Sequence, residues 1–201
     1  NPIARLEDFL TPLRENLQAV NFEHLQFASA KDYFVKAHWA LYCENYLEGF
    51  HIPFVHRGLN RAVDYDSYTT ETFRYSSLQT GLAKKGEGGF DFDERIAAFY
   101  YFVFPNLMLN FYPWGLSVNI VKPLKKDLTR VSYLTFVSDE TRLESGAGAD
   151  LETVEFEDQR VVEAVQKGIR SRFYERGRYS PGREQGTHHF HRLIAEFMRD
   201  A

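Results

Sequence analysis

Cysteine is almost missing from this 201-residue chain: Cys43 stands alone. No internal disulfide can form, and no cluster held by several thiolates can be built from these residues. A reducing, cytoplasmic setting is the expectation that follows. Long apolar runs are also missing, so no segment reads as a membrane span, and the start, Asn1-Pro2-Ile3-Ala4-Arg5, does not read as a signal peptide. An excess of positive charge is missing too. Lys and Arg total 24 against 28 Asp and Glu, a formal net charge of -4, which gives no footing for nucleic acid. Internal repeats and low-complexity tracts are absent, and the length suits one domain, 1–201.

Aromatic residues are plentiful. Phe and Tyr number 18 and 12, enough to line a large apolar cavity as well as fill a core. Ile3 to Val20 carries apolar residues at helical spacing. Short strands are predicted at His24–Ala28 and Asp32–Ala37, then a helix from Trp39 to His51. Tyr68–Phe73, Tyr75–Thr80, Phe99–Phe104, Leu107–Tyr112, Leu116–Val121 and Arg130–Val137 are rich in aromatic and β-branched residues and read as antiparallel strands. Pro105-Asn106 and Lys122 to Asp127 read as turns, and Lys84–Gly89 and Ser145–Gly148 as mobile loops. A long helix should start at Asp150, as N-cap, and run to Ser171, with a shorter one over His188–Met198. The expected architecture is α+β, a curved antiparallel sheet wrapped around a long C-terminal helix, with a cavity between them.

Chemistry concentrates in Glu44 to His56, where carboxylates, a carboxamide and two imidazoles share an otherwise apolar segment. On a helix of about 100° per residue, Glu44, Leu47 and Glu48 fall on the side of His51. Pro53 ends the regular helix, so His56 lies past a bend, and a bend lets two histidines five apart converge. Asp158 sits on the predicted long helix in a stripe with Val154, Val162, Val165 and Ile169. A carboxylate facing a core needs a cation, a metal or strong hydrogen bonds. Two imidazoles and one carboxylate make a facial triad for non-haem Fe(II). Each element also has a plain reading: two unrelated histidines, an acid paired with Arg or Lys, and Glu44 and Glu48 on a solvated helix face. A zinc hydrolase could use the same donors, and a metal-free lipid- or small-molecule-binding module the same fold.

Taken together, these residues resemble the catalytic domain of the Rieske-type ring-hydroxylating oxygenases, the large α-subunit. The matching pattern is Glu44-Asn45-Tyr46, the acid Glu48, then His51-x4-His56; Phe156 to Gln166 is similar to the family's ligand-bearing helix, and Gly186 to Leu193 is a weaker match. His38-Trp39-Ala40 departs slightly from the family's Asn-Trp-Lys. The resemblance implies a helix-grip (Bet v1-like, SRPBCC-type) fold, with His51, His56 and Asp158 as ligands of a mononuclear Fe(II). It implies that Glu48 bridges electron transfer from a Rieske cluster on a neighbouring subunit, and that Asn45 supports the site. Glu rather than Asp at 48 resembles members acting on carnitine-like quaternary ammonium compounds. The implied chemistry is O2-dependent hydroxylation, dihydroxylation or demethylation of a small aromatic or quaternary ammonium substrate. A reductase or ferredoxin would supply the electrons, ultimately from NAD(P)H, and the assembly would be a homotrimer. The family's N-terminal domain holds a [2Fe–2S] cluster on two Cys and two His; with Cys43 alone these residues cannot hold it, so that domain is expected to be absent from this chain.

For the substrate pocket, Phe99, Tyr101, Phe104, Leu107, Leu109, Phe111 and Trp114 are candidates, foremost Phe104, Leu109, Phe111 and Trp114, though alternation turns only about half of such residues inward. His188, His189 and His191 read as surface or subunit-interface residues and Cys43 as a small buried one. The basic run Arg170 to Arg178 reads as a solvated helix end, with a reductase-docking face as the other reading.

Overall fold

The computed structural model describes residues 4–20 and 23–199, so Ile3 of the first predicted helix lies outside the described residues. Among these residues seven strands form one antiparallel sheet: β1 (Gln26–Val35), β2 (Val63–Thr72), β3 (Ser76–Ala83), β4 (Ile96–Val103), β5 (Leu107–Tyr112), β6 (Gly115–Lys125) and β7 (Leu128–Val137). Their spatial order is β1-β7-β6-β5-β4-β3-β2, so β2 to β7 form a meander and β1 adds to the edge beside β7. Among the described residues six α-helices accompany the sheet: α1 (Leu6–Asn16), α2 (Trp39–Tyr46), the short α3 (Ile52–Val55) and α4 (Arg57–Ala62), α5 (Leu151–Gly168) and α6 (Gln185–Arg199).

The central strands are buried on both faces. One face of β4, through Phe99, Tyr101 and Val103, packs with Leu17, Phe90 and Phe111 beneath α1. The other carries Phe102 into a core with Tyr42 and Cys43 of α2, Leu47 at its C-terminal cap, Val162 of α5 and Phe190 of α6. Helix α5 packs on α2 and on edge strand β1, while α2 lies on β6. Tightly packed aromatic contacts of this kind contribute about 1 kcal/mol each beyond the area they bury; Phe190 alone meets Trp39, Phe102 and Phe104.

Several expectations are corrected. The two strands predicted over 24–37 are one, because Ser29 to Asp32 carry no Gly or Pro and continue pairing with β7 after a bulge at Phe27/Ser29. Strand β6 runs on through Pro123 to Lys125, leaving a tighter turn than Lys122–Asp127. Ser145–Gly148 is a packed 3₁₀ turn, not a free loop: Ala147 and Gly148 are buried, and a Cβ on Gly148 would lie 2.1 Å from Trp114 Nε1. Helix α5 ends at Gly168, short of Ser171, and Arg172, Phe173 and Arg176 beyond it are exposed.

Candidate metal centre

The helix begun at Trp39 does not reach His51. The His38 ring caps it, its Nδ1 accepting from Ala40 N–H at 3.3 Å, and it closes at Leu47, whose N–H donates to Cys43 and Glu44 carbonyls. Gly49 then lets the chain pass under Tyr68, whose ring a Cβ would meet at 2.8 Å. His51 caps α3, with Pro53 in the first turn where its missing N–H costs nothing. His56 is both the end of α3 and the cap of α4, at φ -102° and ψ 84°. This turn–helix–bend brings both imidazoles to one point.

Helix α5 supplies the third group. Asp150, at φ 51°, caps it by accepting from Thr153 N–H at 3.3 Å. Its inward line runs through buried Glu155, half-buried Asp158, then buried Val162 and Gln166, whereas Val165, expected in the stripe, is exposed. The polar members are inward because they have partners: Gln166 Oε1 accepts from His38 N–H at 2.8 Å, and Glu155 from Tyr42. Hydrophobic periodicity alone therefore misplaces the face.

His51 Nε2 and His56 Nε2 lie 3.1 Å apart, His56 Nε2 and Asp158 Oδ1 3.1 Å, and His51 Nε2 and Asp158 Oδ1 3.6 Å. Donors about 2.1 Å from one ion and at right angles sit about 3 Å apart, so the triangle has the size of one face of an octahedral site. The outer ring nitrogens fix the tautomers. His51 Nδ1 meets Glu48 Oε1 at 2.6 Å and His56 Nδ1 meets Glu157 Oε2 at 2.8 Å. An ionised carboxylate only accepts, so each Nδ1 carries the hydrogen and each Nε2 turns a lone pair inward. Two lone pairs and a carboxylate oxygen facing one another repel unless a cation joins them. Asn45 Nδ2 donates to Asp158 Oδ1 at 2.7 Å, aiming the carboxylate. Burial pulls the pKa of His56 down, but the adjacent Asp158 and Glu157 outweigh it and leave it raised. The donor set thus fits a divalent metal, and His51, His56 and Asp158 are the one such cluster among the described residues.

Glu44, expected beside His51, instead turns to α6 and meets His191 Nε2 at 2.9 Å. His191 is therefore half-buried and paired, not a free surface group. Burial, then the neighbouring Glu44, pushes the Cys43 thiol well up, leaving it inert.

A cavity opens at the triad, and none of the four predicted pocket residues lines it. Leu109 and Phe111 point to the α1 face together with Phe99, Tyr101 and Leu107. Phe104 packs on Phe190 and Phe197, and Trp114 stacks behind Tyr112. The inward register of β5 is Asn110 and Tyr112, and that of β6 is Ser117 and Asn119. A signal for this was present: Ser117 and Asn119 alternate with apolar residues but occupy the buried register. Tyr42, Tyr46, Tyr68, Tyr100 and Tyr133 complete an aromatic wall, and α5 contributes Glu155. No Lys or Arg lines the cavity among the described residues. Sequence reasoning also missed Glu157, the anchor of His56, which adjoins Asp158.

Residues 22–200 match the family described as the ring hydroxylating alpha subunit, catalytic domain. Choline monooxygenase of Arabidopsis thaliana, a chloroplastic protein, is 35% identical over 180 residues, covering 85% of this chain and 42% of the relative. The carnitine monooxygenase oxygenase subunit of Escherichia coli is 34% identical over 178 residues, covering 82% and 48%. The chain thus spans less than half the length of these relatives. Among solved structures, a quaternary ammonium Rieske monooxygenase with an inhibitor superposes at TM-score 0.77 and 23% identity, over 96% of this chain and 56% of that one. A naphthalene 1,2-dioxygenase variant superposes at TM-score 0.68 and 14% identity, over 95% and 59%. The family match, the curated relatives and the shared fold agree: this chain belongs to the catalytic domains of the ring-hydroxylating Rieske oxygenase α-subunits.

Proposed function

We propose that this domain oxidises a small quaternary ammonium compound with O2, as a monooxygenase. The observation that carries the reading is the convergence of His51 Nε2, His56 Nε2 and Asp158 Oδ1 on the wall of a tyrosine-lined cavity. Curated relatives named for choline and carnitine monooxygenation support the substrate class. Bound Fe(II) would supply O2 binding and activation. The chain's own residues do the rest. Glu48 and Glu157 hold the two imidazoles as Nε2 donors, Asn45 aims Asp158, and the aromatic wall keeps water from the reacting centre.

Glu48 also accepts from the backbone N–H groups of Phe50 and His51. That firm hold on the His51 ring suits the proposed role of bridging electron entry. The electrons would come from a [2Fe–2S] cluster outside these residues, fed by a reductase or ferredoxin drawing on NAD(P)H. A homotrimer in which subunits exchange electrons is the proposed assembly; one of the solved quaternary ammonium monooxygenases is described in terms of inter-subunit electron transfer. Helices α2 and α5 over one side of the sheet support a helix-grip assignment, and a single buried cysteine suits a reducing compartment such as the cytoplasm.

The test is anaerobic Fe(II) reconstitution, addition of nitric oxide and EPR. A stoichiometric iron–nitrosyl signal from the wild type, lost in Asp158→Ala, is the expected result. A folded protein that binds zinc, gives no such signal and hydrolyses an ester without O2 uptake would overturn the oxygenase reading.

A further inference from the structure

Glu155 has no task in holding the metal, yet it is 3% exposed and lines the cavity. Its carboxylate is met by neutral donors only. Tyr42 Oη lies 2.6 Å from Oε2 and Gln159 Nε2 lies 3.1 Å from Oε1. Tyr42 has one hydroxyl hydrogen; given to Glu155, it leaves the Tyr42 oxygen to accept from Tyr133 Oη, 2.6 Å away. The aligned chain Tyr133→Tyr42→Glu155 fixes the carboxyl group in place without giving it a counter-ion. The two imidazoles of the cavity are already engaged by other acids, His56 by Glu157 and Asp158 and His51 by Glu48. A buried acid with no counter-ion is costly, and a cation entering the cavity would relieve that cost.

The rest of the wall suits the same guest. A quaternary ammonium group cannot donate a hydrogen bond; it is recognised by charge and by aromatic faces. Tyr46, Tyr68, Tyr100 and Tyr112 supply those faces. Asn110, Ser117 and Asn119 offer neutral polar groups suited to a hydroxyl, and among the described residues no Lys or Arg lines the cavity to receive a substrate carboxylate.

We propose that Glu155 recognises the positive charge of the substrate, and that the cavity selects quaternary ammonium compounds of net positive charge, such as a trimethylammonium alcohol, over zwitterions that carry their own carboxylate. The inference rests on the quaternary ammonium reading above and sharpens it to one charge type.

The experiment is calorimetric titration of the Fe(II)-reconstituted protein, under anaerobic conditions, with three probes: choline, its uncharged isostere with tert-butyl in place of trimethylammonium, and carnitine. Wild type should bind choline at least about 10-fold more tightly than either of the others. Glu155→Gln should weaken choline by about 10- to 100-fold and leave the uncharged isostere unchanged, so the preference collapses. Glu155→Asp should restore part of it. Carnitine binding as tightly as choline, or Glu155→Gln keeping the choline-to-isostere ratio, would overturn the proposal while leaving the quaternary ammonium reading intact. Binding of none of the three would sink both. Should Glu155→Gln fail to fold, the three-probe comparison on wild type still decides the charge preference.

Discussion

Glu155→Gln should make the metal-free protein more stable at alkaline pH. Burial is the main cause that pushes the Glu155 carboxyl from its ordinary 4.5 up to about 8; the Tyr42 hydrogen bond opposes it and Asp158 adds to it. Between those two values the native state keeps a proton that the unfolded chain has already lost. Stability therefore falls as pH rises through the window, and the contribution is gone above about pH 8. At about 1.4 kcal/mol per tenfold change in proton affinity, the full gap corresponds to about 5 kcal/mol, an upper bound because buried charges relax and admit water. The glutamine amide keeps an acceptor for Tyr42 and never ionises, so it loses nothing across the same range. The assay is urea unfolding of both proteins with a chelator present, at about pH 5 and about pH 8.5. The two should lie close at the lower pH, and the variant should lead by more than about 2 kcal/mol at the higher. Parallel pH profiles for the two proteins would refute the claim that this side chain is desolvated and without a counter-ion.

The remaining predictions test the anchors, the packing and the register. Glu157→Gln should weaken Fe(II) affinity by about 10- to 100-fold in a chelator competition, since His56 loses the carboxylate that orients it. Gly148→Ala should destabilise the fold by about 3 kcal/mol in urea unfolding, because the new methyl would overlap Trp114 and Tyr112. Phe190→Ala should cost about 4 kcal/mol by emptying a site between α2, α6 and β4, read as a lowered urea midpoint at unchanged slope. Phe111→Leu should lower stability but leave substrate KM unchanged, whereas Asn119→Leu, on the cavity wall, should change KM; a KM shift in the first and none in the second would reverse the assignment of faces on β5 and β6.

Local chemistry wrote much of this molecule in advance. Pro53 and the apolar spacing around it place a bend between His51 and His56, and Asp150 starts the helix that carries Asp158. Strand β5 spans Leu107–Tyr112, as its aromatic Phe111-Tyr112 and the turn at Pro105-Asn106 before it predict. The likeness of Glu44 to His56 and of Phe156 to Gln166 to one oxygenase family points to the family that residues 22–200 match. All of these depend on residues within a turn or two of one another, or on motifs read in order.

What the sequence by itself did not determine was which way residues face once both sides of a strand are covered. Leu-Met-Leu-Asn-Phe-Tyr has no polar face to declare an outside, so the cavity register of β5 emerged only when α1 took one side and α2 with α6 the other. The same holds for polar groups whose burial depends on distant partners. Glu155 waits on Tyr42, Gln166 on the His38 amide, Glu157 on His56, and Glu44 on His191, all more than 100 positions away in the chain. A hydrogen bond between such residues leaves no periodic trace along the chain. Only the fold, by closing those distances, decides that an acid belongs inside, which imidazole nitrogen faces the metal, and that Glu155 sits in the cavity with no Lys or Arg beside it among the described residues.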